Sequence, residues 1–143
     1  MILTKAKFKH YQQIFHKKVM GTPFNIELEI FSVSTGSGEF SLDSFVGDST
    51  RTSVRHTFNA LYEREIPLRM REKYGLPKEV NGIIYLSPLQ LVQKVGTFEL
   101  DWNKTVVHFT GRTQVIQKIE YLEPLYKDCV GVQIFLKDTQ KGG

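Results

Sequence analysis

The sequence predicts a mainly β fold, a small antiparallel β-barrel or two-sheet sandwich of about six strands with one or two short helices. After residue 23, apolar side chains fall at every second position, which is the period of a half-buried strand. From residue 96 onward, short β-branched and aromatic runs alternate with tight turns, and strands joined by short turns pair antiparallel. The 143 residues are enough for one domain.

The first 20 residues allow two interpretations. Phe8, Tyr11 and Phe15 have the i, i+3, i+7 spacing of a helical stripe. The segment also carries five lysines and no acidic residue, so it could instead be an extended basic arm that orders only on a partner. We predict an N-terminal arm over residues 1–20, a single β-barrel-like domain over 21–138 and a flexible tail over 139–143.

The first strand is predicted to begin at Phe24. Phe24, Ile26, Leu28 and Ile30 point to one face, whereas the asparagine and the glutamates between them point to the other. This pattern is typical of a strand with one face on the core and one face in solvent.

A long loop is predicted after this strand, inserted over residues 35–53. Residues 32–53 are rich in Ser, Thr and Gly, and connections this long inside a compact domain are usually functional or disordered. A solvated linker would carry fewer large apolar residues than Phe40, Leu42, Phe45 and Val46. A flexible surface loop and a loop ordered by another chain both remain open.

The middle of the chain is predicted to contain two strands and two short helices. Alternation over residues 54–66 favours a strand. Residues 68–74 form a predicted helix with Pro just before it and Gly just after it. Val80–Ser87 is apolar and β-branched, so we expect a strand, and the following Pro88 resembles the first position of a short helix capped by the serine.

The C-terminal part reads as a β-meander. Tight turns are predicted at residues 101–104 and 110–112, the second with Gly111 at positive φ. The predicted strands are Thr97–Leu100, Thr105–Phe109, Gln114–Leu122 and Cys129–Leu136.

The sequence offers no cluster that could support catalysis, so we expect no catalytic residue, no metal and no cofactor. The four histidines lack the spacing and supporting carboxylate of a metal site. Cys129 is the only cysteine, which excludes an intrachain disulfide. As a nucleophile Cys129 would need an activating base, for which His108 on a nearby strand is the candidate. The run Gly36–Gly38 lacks the GK[ST] of a P-loop.

The composition indicates the cellular compartment in which the chain is expected to fold. No apolar run reaches the ~18 residues that a membrane helix needs. The N-terminus lacks the order of a signal peptide, and a single cysteine is typical of folding in a reducing cytosol. We therefore expect no membrane partner.

Charge falls in blocks of alternating sign within a net charge of +4. Residues 1–20 are basic, residues 21–50 contain five acidic residues and no basic one, and residues 51–73 are basic again. Such blocks are common on solvated faces, and they also suit contact with charged neighbours.

A free OB-like nucleic-acid-binding barrel is one alternative function. Such barrels stack bases on exposed aromatic side chains beside a basic groove. The candidates here do not alternate with Lys or Arg along one strand, and a Trp in a turn more often staples a hairpin. These candidates are Tyr62, Tyr74, Trp102 and Tyr126.

Five phrases in the C-terminal half carry a resemblance to a known family. They are GIIYLSPLQL (82–91), GTFELD (96–101), VHFTG (107–111), IQKIEYLEPL (116–125) and VQIFLKD (132–138). Over roughly residues 54–138 the chain resembles the neck proteins of tailed bacteriophages, most of all the head-closure, or head-to-tail stopper, proteins.

The resemblance implies a structural virion protein without catalytic activity, made in the bacterial host cytoplasm. It would form a homo-oligomeric ring of about 12 or 6 subunits in the neck of the virion. One side of the ring would meet the portal or adaptor ring, and the other the tail terminator or tail tube. Packaged double-stranded DNA would lie in the channel, which the ring closes. A tail terminator, or tail-completion protein, is a related alternative.

The resemblance also implies that the long loop faces the channel or a neighbouring ring. Acidic residues there would repel DNA and let it slide, whereas arginines would hold phosphates. The loop candidates are Glu39, Phe40, Asp43, Phe45, Asp48, Arg51 and Arg55. The basic candidates for subunit or partner contacts are Lys5, Lys7, Lys9, Lys17, Lys18, Arg69 and Arg71.

Overall fold

The fold is mainly β, as predicted: seven antiparallel strands form one sheet that curls into a half-barrel. The computed structural model describes residues 4–34, 50–109, 111–124 and 128–138. The strands are β1 (Asn25–Ser34), β2 (Thr50–Asn59), β3 (Leu61–Glu63), β4 (Val80–Leu86), β5 (Thr105–Phe109), β6 (Arg112–Leu122) and β7 (Gly131–Asp138). The helices are α1 (Lys5–Met20), α2 (Leu68–Tyr74) and α3 (Pro88–Val95), with a 3-10 turn at Trp102–Lys104.

The curl of the sheet follows from its strand order, β2-β1-β5-β6-β7-β4-β3. The two edge strands, β2 and β3, are joined by Ala60 alone, so the opposite edges of the sheet must come together there. The N–H of Ala60 donates to the carbonyl of Phe24 at 3.1 Å, and its carbonyl accepts from the Thr22 hydroxyl at 2.8 Å. These bonds hold the corner closed.

Two bulges bend the sheet on either side of β7. Asn81 is the extra residue where β4 pairs with β7, and Gln117 is the extra residue where β6 pairs with β7. Both shifts lie beside Leu136. Because a bulge increases local twist, two bulges at one level bend the sheet around its core.

The core fills the inside of the curl. Its fully buried members come from alternate positions of neighbouring strands, including Leu28, Phe58, Val107 and Ile134. A stack of aromatic rings packs against this core, with Phe24 lying parallel to Tyr62 at 5.2 Å between ring centroids and Phe109 touching both.

The helices pack against this sheet. Of the two interpretations of residues 1–20, the helical one is correct: α1 buries Phe8, Gln12 and Val19, whereas Tyr11 of the predicted stripe is exposed. The Phe15 ring lies so close to Gly131 that a Cβ there would be 2.5 Å from it. The second helix covers a smaller cluster on the other face of β4 and β7: Ile66, Val80, Ile83 and Phe135, with Met70 and Tyr74 against it.

Two details of the predicted fold are wrong. Residues 97–100 do not form a strand; they join α3 to the 3-10 turn, and the apolar side chains that suggested a strand, Phe98 and Leu100, pack on the core without joining the sheet. The predicted loop over 35–53 also ends too late, since residues 50–53 belong to β2 and Ser53 pairs with Phe31. Residues 35–49 lie outside the described ranges, as does the predicted tail over 139–143.

Candidate interaction surfaces

The predicted functional residues fall into three groups. Five of the loop candidates, Glu39, Phe40, Asp43, Phe45 and Asp48, lie outside the described residues. Arg51 and Arg55 lie on β2, and only the side chain of Arg55 is described. The five lysine candidates all lie on α1, and Arg69 and Arg71 lie on α2.

Arg55 belongs to a polar network on the face of the sheet opposite the core. Its guanidinium lies 3.4 Å from Glu29 and 3.8 Å from Glu27. The Glu29 carboxylate also accepts from the Ser53 hydroxyl and meets the His108 imidazole, both at 2.7 Å. The pKa of Glu29 is lowered, most of all by the hydrogen bond from the Ser53 hydroxyl and next by the bond with His108. The charge of Arg55 lowers it further, whereas burial raises it.

The network extends to a fourth strand. The second ring nitrogen of His108 lies 3.0 Å from the Thr113 hydroxyl on β6. Thr113, His108 and Glu29 place a hydroxyl, an imidazole and a carboxylate in a row, which is the composition of a hydrolase triad. Here, however, the Glu29 carboxylate also binds Ser53 and Arg55. The arrangement links strands β2, β1, β5 and β6 level with the middle of the β1–β2 hairpin.

The postulated pairing of Cys129 with His108 is not formed. Cys129 is fully buried in the core cluster, whereas His108 bonds Glu29 and Thr113 on the other face. Burial, with smaller contributions from the charges of Asp128 and Glu99, raises the pKa of Cys129 to about 12. The thiol is therefore protonated at neutral pH and behaves as a small apolar core residue.

A second polar cluster lies at the C-terminal end of β7. The Asp138 carboxylate accepts from Arg112 at 2.7 Å, Gln114 at 2.6 Å and Asn81 at 2.9 Å. The hydrogen bond from Gln114 is the largest cause that lowers the pKa of Asp138. The bonds from Arg112 and Asn81 lower this pKa further, whereas burial raises it. Because Asn81 is a bulge residue of β4, the cluster ties β4 to β6 and β7.

The basic surface lies on α1. All five candidate lysines are exposed, and Lys9 forms an ion pair with Asp128 at 3.7 Å. Two apolar side chains lie among them in solvent, Tyr11 with 47% of its surface exposed and Ile14 with 46%. We name Lys7, Tyr11, Ile14 and Lys18 the α1 stripe.

The two arginines of α2 differ in their surroundings. Arg71 donates to the carbonyls of Pro77 at 3.2 Å and Val80 at 2.8 Å, so it anchors the helix to the start of β4. Arg69 is exposed. Sequence reasoning did not separate them, because the bonds of Arg71 depend on how the chain turns after Gly75, which adopts φ 61°.

The aromatic side chains considered for base stacking pack within the chain. Tyr62 stacks on Phe24, Tyr74 contacts the Phe135 ring, and the Trp102 indole donates to the Tyr121 hydroxyl at 2.9 Å. The fourth candidate, Tyr126, lies outside the described residues. The three that the structure describes are thus engaged in folding.

A search with the sequence finds no matching family model and no matching curated protein. Within the described ranges, no group of three His, Cys, Asp or Glu residues is arranged to hold a metal ion. In the same ranges, no helix has the length and apolar character needed to cross a membrane.

The sequence alone did not predict the network around Glu29. The alternation of β1 places Glu29 on the outer face, and His108 was noted as a strand residue. Their contact depends on the pairing of β1 with β5, and the sequence of neither strand predicts that pairing or its register.

Proposed function

We propose that this protein is a structural virion protein that forms a homo-oligomeric ring in the neck of a tailed phage. The ring sits between the portal or adaptor and the tail, closes the head channel and retains packaged DNA. The family resemblance of residues 54–138 suggests this role.

One structural observation carries the proposal further. β1 and β2 pair without a register shift from Asn25 and Asn59 to Ser34 and Thr50. Ser34 and Thr50, the described residues on either side of 35–49, are therefore paired neighbours at the end of a long hairpin at the edge of the sheet. A hairpin end on a rigid scaffold suits a ring subunit in which that end meets the channel or a neighbour.

The charge pattern of the sequence also suits assembly. The basic helix α1 lies on the outside of the domain, and residues 21–50 contain acidic residues but no basic one. A subunit with surfaces of opposite charge can form head-to-tail contacts, and such contacts close into rings when the rotation allows.

Co-assembly tests this function. The purified chain is mixed with portal–adaptor complexes or with tail tubes, and particles are imaged by negative-stain electron microscopy. Rings bound to the portal–adaptor complex are expected, whereas rings on the tail tube alone would favour the tail-terminator alternative. In the phage genome, deletion should give heads that lose their DNA, and a plasmid copy should restore them. DNA-filled, tailed particles after deletion would refute the proposal.

A further inference from the structure

The strand β2 is a long and regular edge of the sheet. Within the described ranges, no strand pairs with it on the side away from β1. Its pairing with β1 has no bulge, and it contains no proline. Edge strands of natural proteins are usually short, bulged, covered or interrupted by proline, because their unpaired N–H and C=O groups attract another strand. The edge of β2 is therefore suited to pairing with a second strand.

Two hydrogen bonds show which residues face this edge. The Lys94 ammonium of α3 donates to the carbonyl of Thr57, which therefore points away from β1. The N–H of Ala60 instead donates to the residue just before β1. Because backbone groups alternate along an antiparallel strand, the odd-numbered residues of β2 direct their N–H and C=O groups to the edge. Ser53 and Arg55 are thus the residues that can bond a further strand beyond the end of α3.

We propose that two copies of this chain pair through these edges, with β2 antiparallel to β2 of the second copy and Val54 on the two-fold axis. Charge favours this register. An axis at Arg55 would bring two arginines face to face, and an axis at Ser53 would place Arg55 opposite Arg51 of the second copy. With the axis at Val54, Arg55 lies opposite Ser53, and the two residues can exchange both backbone hydrogen bonds.

The exposure of Val54 supports the same axis. Its side chain is 55% exposed, although it lies on the face of β2 that carries the buried Phe58. On the axis, the two Val54 residues form a pair without mutual hydrogen bonds, in which the Cα atoms are about 4.5 Å apart. Directly opposite β-branched side chains pack together and stabilise a sheet. The pairing therefore buries an apolar side chain that the single domain leaves in solvent.

The two other axes near the middle of the strand are less suitable. An axis at Thr52 would place Val54 opposite Thr50, so the exposed valine would have no apolar partner. An axis at His56 would require the backbone of Thr57, whose carbonyl α3 already binds.

The charge of Arg55 is balanced within its own copy. Its guanidinium lies 3.4 Å from Glu29 and 3.8 Å from Glu27. Across the axis, the two Arg55 residues are diagonal neighbours, about 7–8 Å apart. Because each guanidinium is directed toward the carboxylates of its own β1, the two positive charges lie on opposite sides of the axis.

This contact differs in kind from the contacts of a ring. It joins two identical surfaces around a two-fold axis, whereas a ring needs head-to-tail contacts between different surfaces. The inference rests on the fold alone and not on the proposed function. We expect the dimer in the free chain, and we expect weak association because the contact is small.

Cysteine cross-linking tests the axis in the full chain. Directly opposite residues have the Cα separation that a disulfide needs, so Val54→Cys should give covalent dimers on a non-reducing gel after mild oxidation. The matched control is Thr57→Cys, an exposed position on the same strand. Its two copies would be about 20 Å apart in the dimer, so this variant should remain monomeric. The native Cys129 is buried and is common to both variants.

Mixing two single variants tests the register. With Val54 on the axis, Thr52 lies opposite His56 of the second copy. Thr52→Cys and His56→Cys should each give little cross-link alone, because the two copies of either residue are about 13 Å apart. An equal mixture of the two should give a strong dimer band, and an affinity tag on one variant identifies that band as the mixed dimer.

A charge on the axis provides a test that does not depend on cross-linking. Val54→Lys places two ammonium groups opposite each other and should weaken self-association by at least about tenfold in analytical ultracentrifugation. The control Ile14→Lys makes the same change at an exposed apolar residue of the α1 stripe and should leave self-association unchanged. Circular dichroism of each variant checks that it is folded.

The outcomes separate this inference from the proposed function. The inference is wrong if Val54→Cys gives no cross-link, or if Thr57→Cys cross-links equally well. Self-association that survives Val54→Lys but is lost in Ile14→Lys would assign the contact to the α1 stripe and overturn the inference. If portal–adaptor rings bind no copies of the chain while the dimer that depends on Val54 is present, the proposed function alone fails.

Discussion

The carboxylate of Glu29 and the imidazole of His108 meet at 2.7 Å although 79 residues separate them in sequence. Both side chains are mostly buried, with 13% and 18% of their surfaces exposed. They lie on adjacent strands β1 and β5, on the face opposite the core. The bond therefore connects the first strand of the sheet to the C-terminal meander, level with the middle of the β1–β2 hairpin.

Glu29→Gln should lower the free energy of unfolding by about 1–2 kcal/mol at pH 7, because it removes charge-assisted hydrogen bonds to Ser53 and His108. Urea denaturation followed by circular dichroism measures the change. The matched control Glu27→Gln, which loses only a long ion pair to Arg55, should change it by less than about 0.5 kcal/mol. Equal losses in the two variants would contradict the importance of the network.

The same carboxyl should make stability pH-dependent in a defined direction. Folding lowers the pKa of Glu29, so its contribution is present above the unfolded pKa of about 4.3. It is lost as the pH falls through the folded value, because the carboxyl must then be protonated. The difference in unfolding free energy between the original chain and Glu29→Gln should shrink below about pH 4. A difference that grows on acidification would contradict this assignment.

Local structure was the part of the fold that sequence could predict. The alternation in β1 buries Ile26 and Leu28. The predicted cap of α3 is present, with the Ser87 hydroxyl accepting from the N–H of Gln90 at 3.4 Å. Signals of this kind depend on neighbours in sequence, and they are read directly from residue type and spacing.

The start of β2 could not be predicted in that way. Residues 52–55 are all exposed, so the strand shows no alternation there and resembles loop in composition. It is nevertheless a strand because it pairs with β1, as between Phe31 and Ser53. The same limit applies to the candidate site: Glu29 meets both Arg55 and His108 only because β1 pairs with β2 on one side and with β5 on the other.

Asp138→Ala should destabilise the fold by about 1–3 kcal/mol, because it leaves the buried amide of Gln114 without its short hydrogen bond. The comparison is Asp101→Ala, which removes only an exposed ion pair with Lys104 at 3.9 Å and should cost less than about 0.5 kcal/mol. Thermal unfolding by calorimetry distinguishes them. If the two variants unfold together, the cluster at the end of β7 does not hold β4, β6 and β7 in the way proposed.

Gly131→Ala should destabilise the fold by about 1–3 kcal/mol through overpacking, because the new methyl group would meet the Phe15 ring at 2.5 Å. The double variant Gly131→Ala/Phe15→Ala should be less destabilised than the sum of the two single changes, since the ring that causes the clash is gone. Urea denaturation of all four proteins gives the coupling. Additive effects would mean that α1 does not rest on the start of β7 through Phe15.

Cys129 should resist thiol reagents in the native protein and react only on unfolding. Burial raises its pKa to about 12, so at pH 8 it forms far less thiolate than an exposed cysteine with a pKa of about 8.5. The Ellman reaction of the native chain should therefore be slow and should accelerate in urea along the unfolding curve. The variant Lys78→Cys, with its added thiol in solvent, should give one equivalent of fast reaction under native conditions. Fast reaction of Cys129 without urea would show that the core beside α1 opens readily.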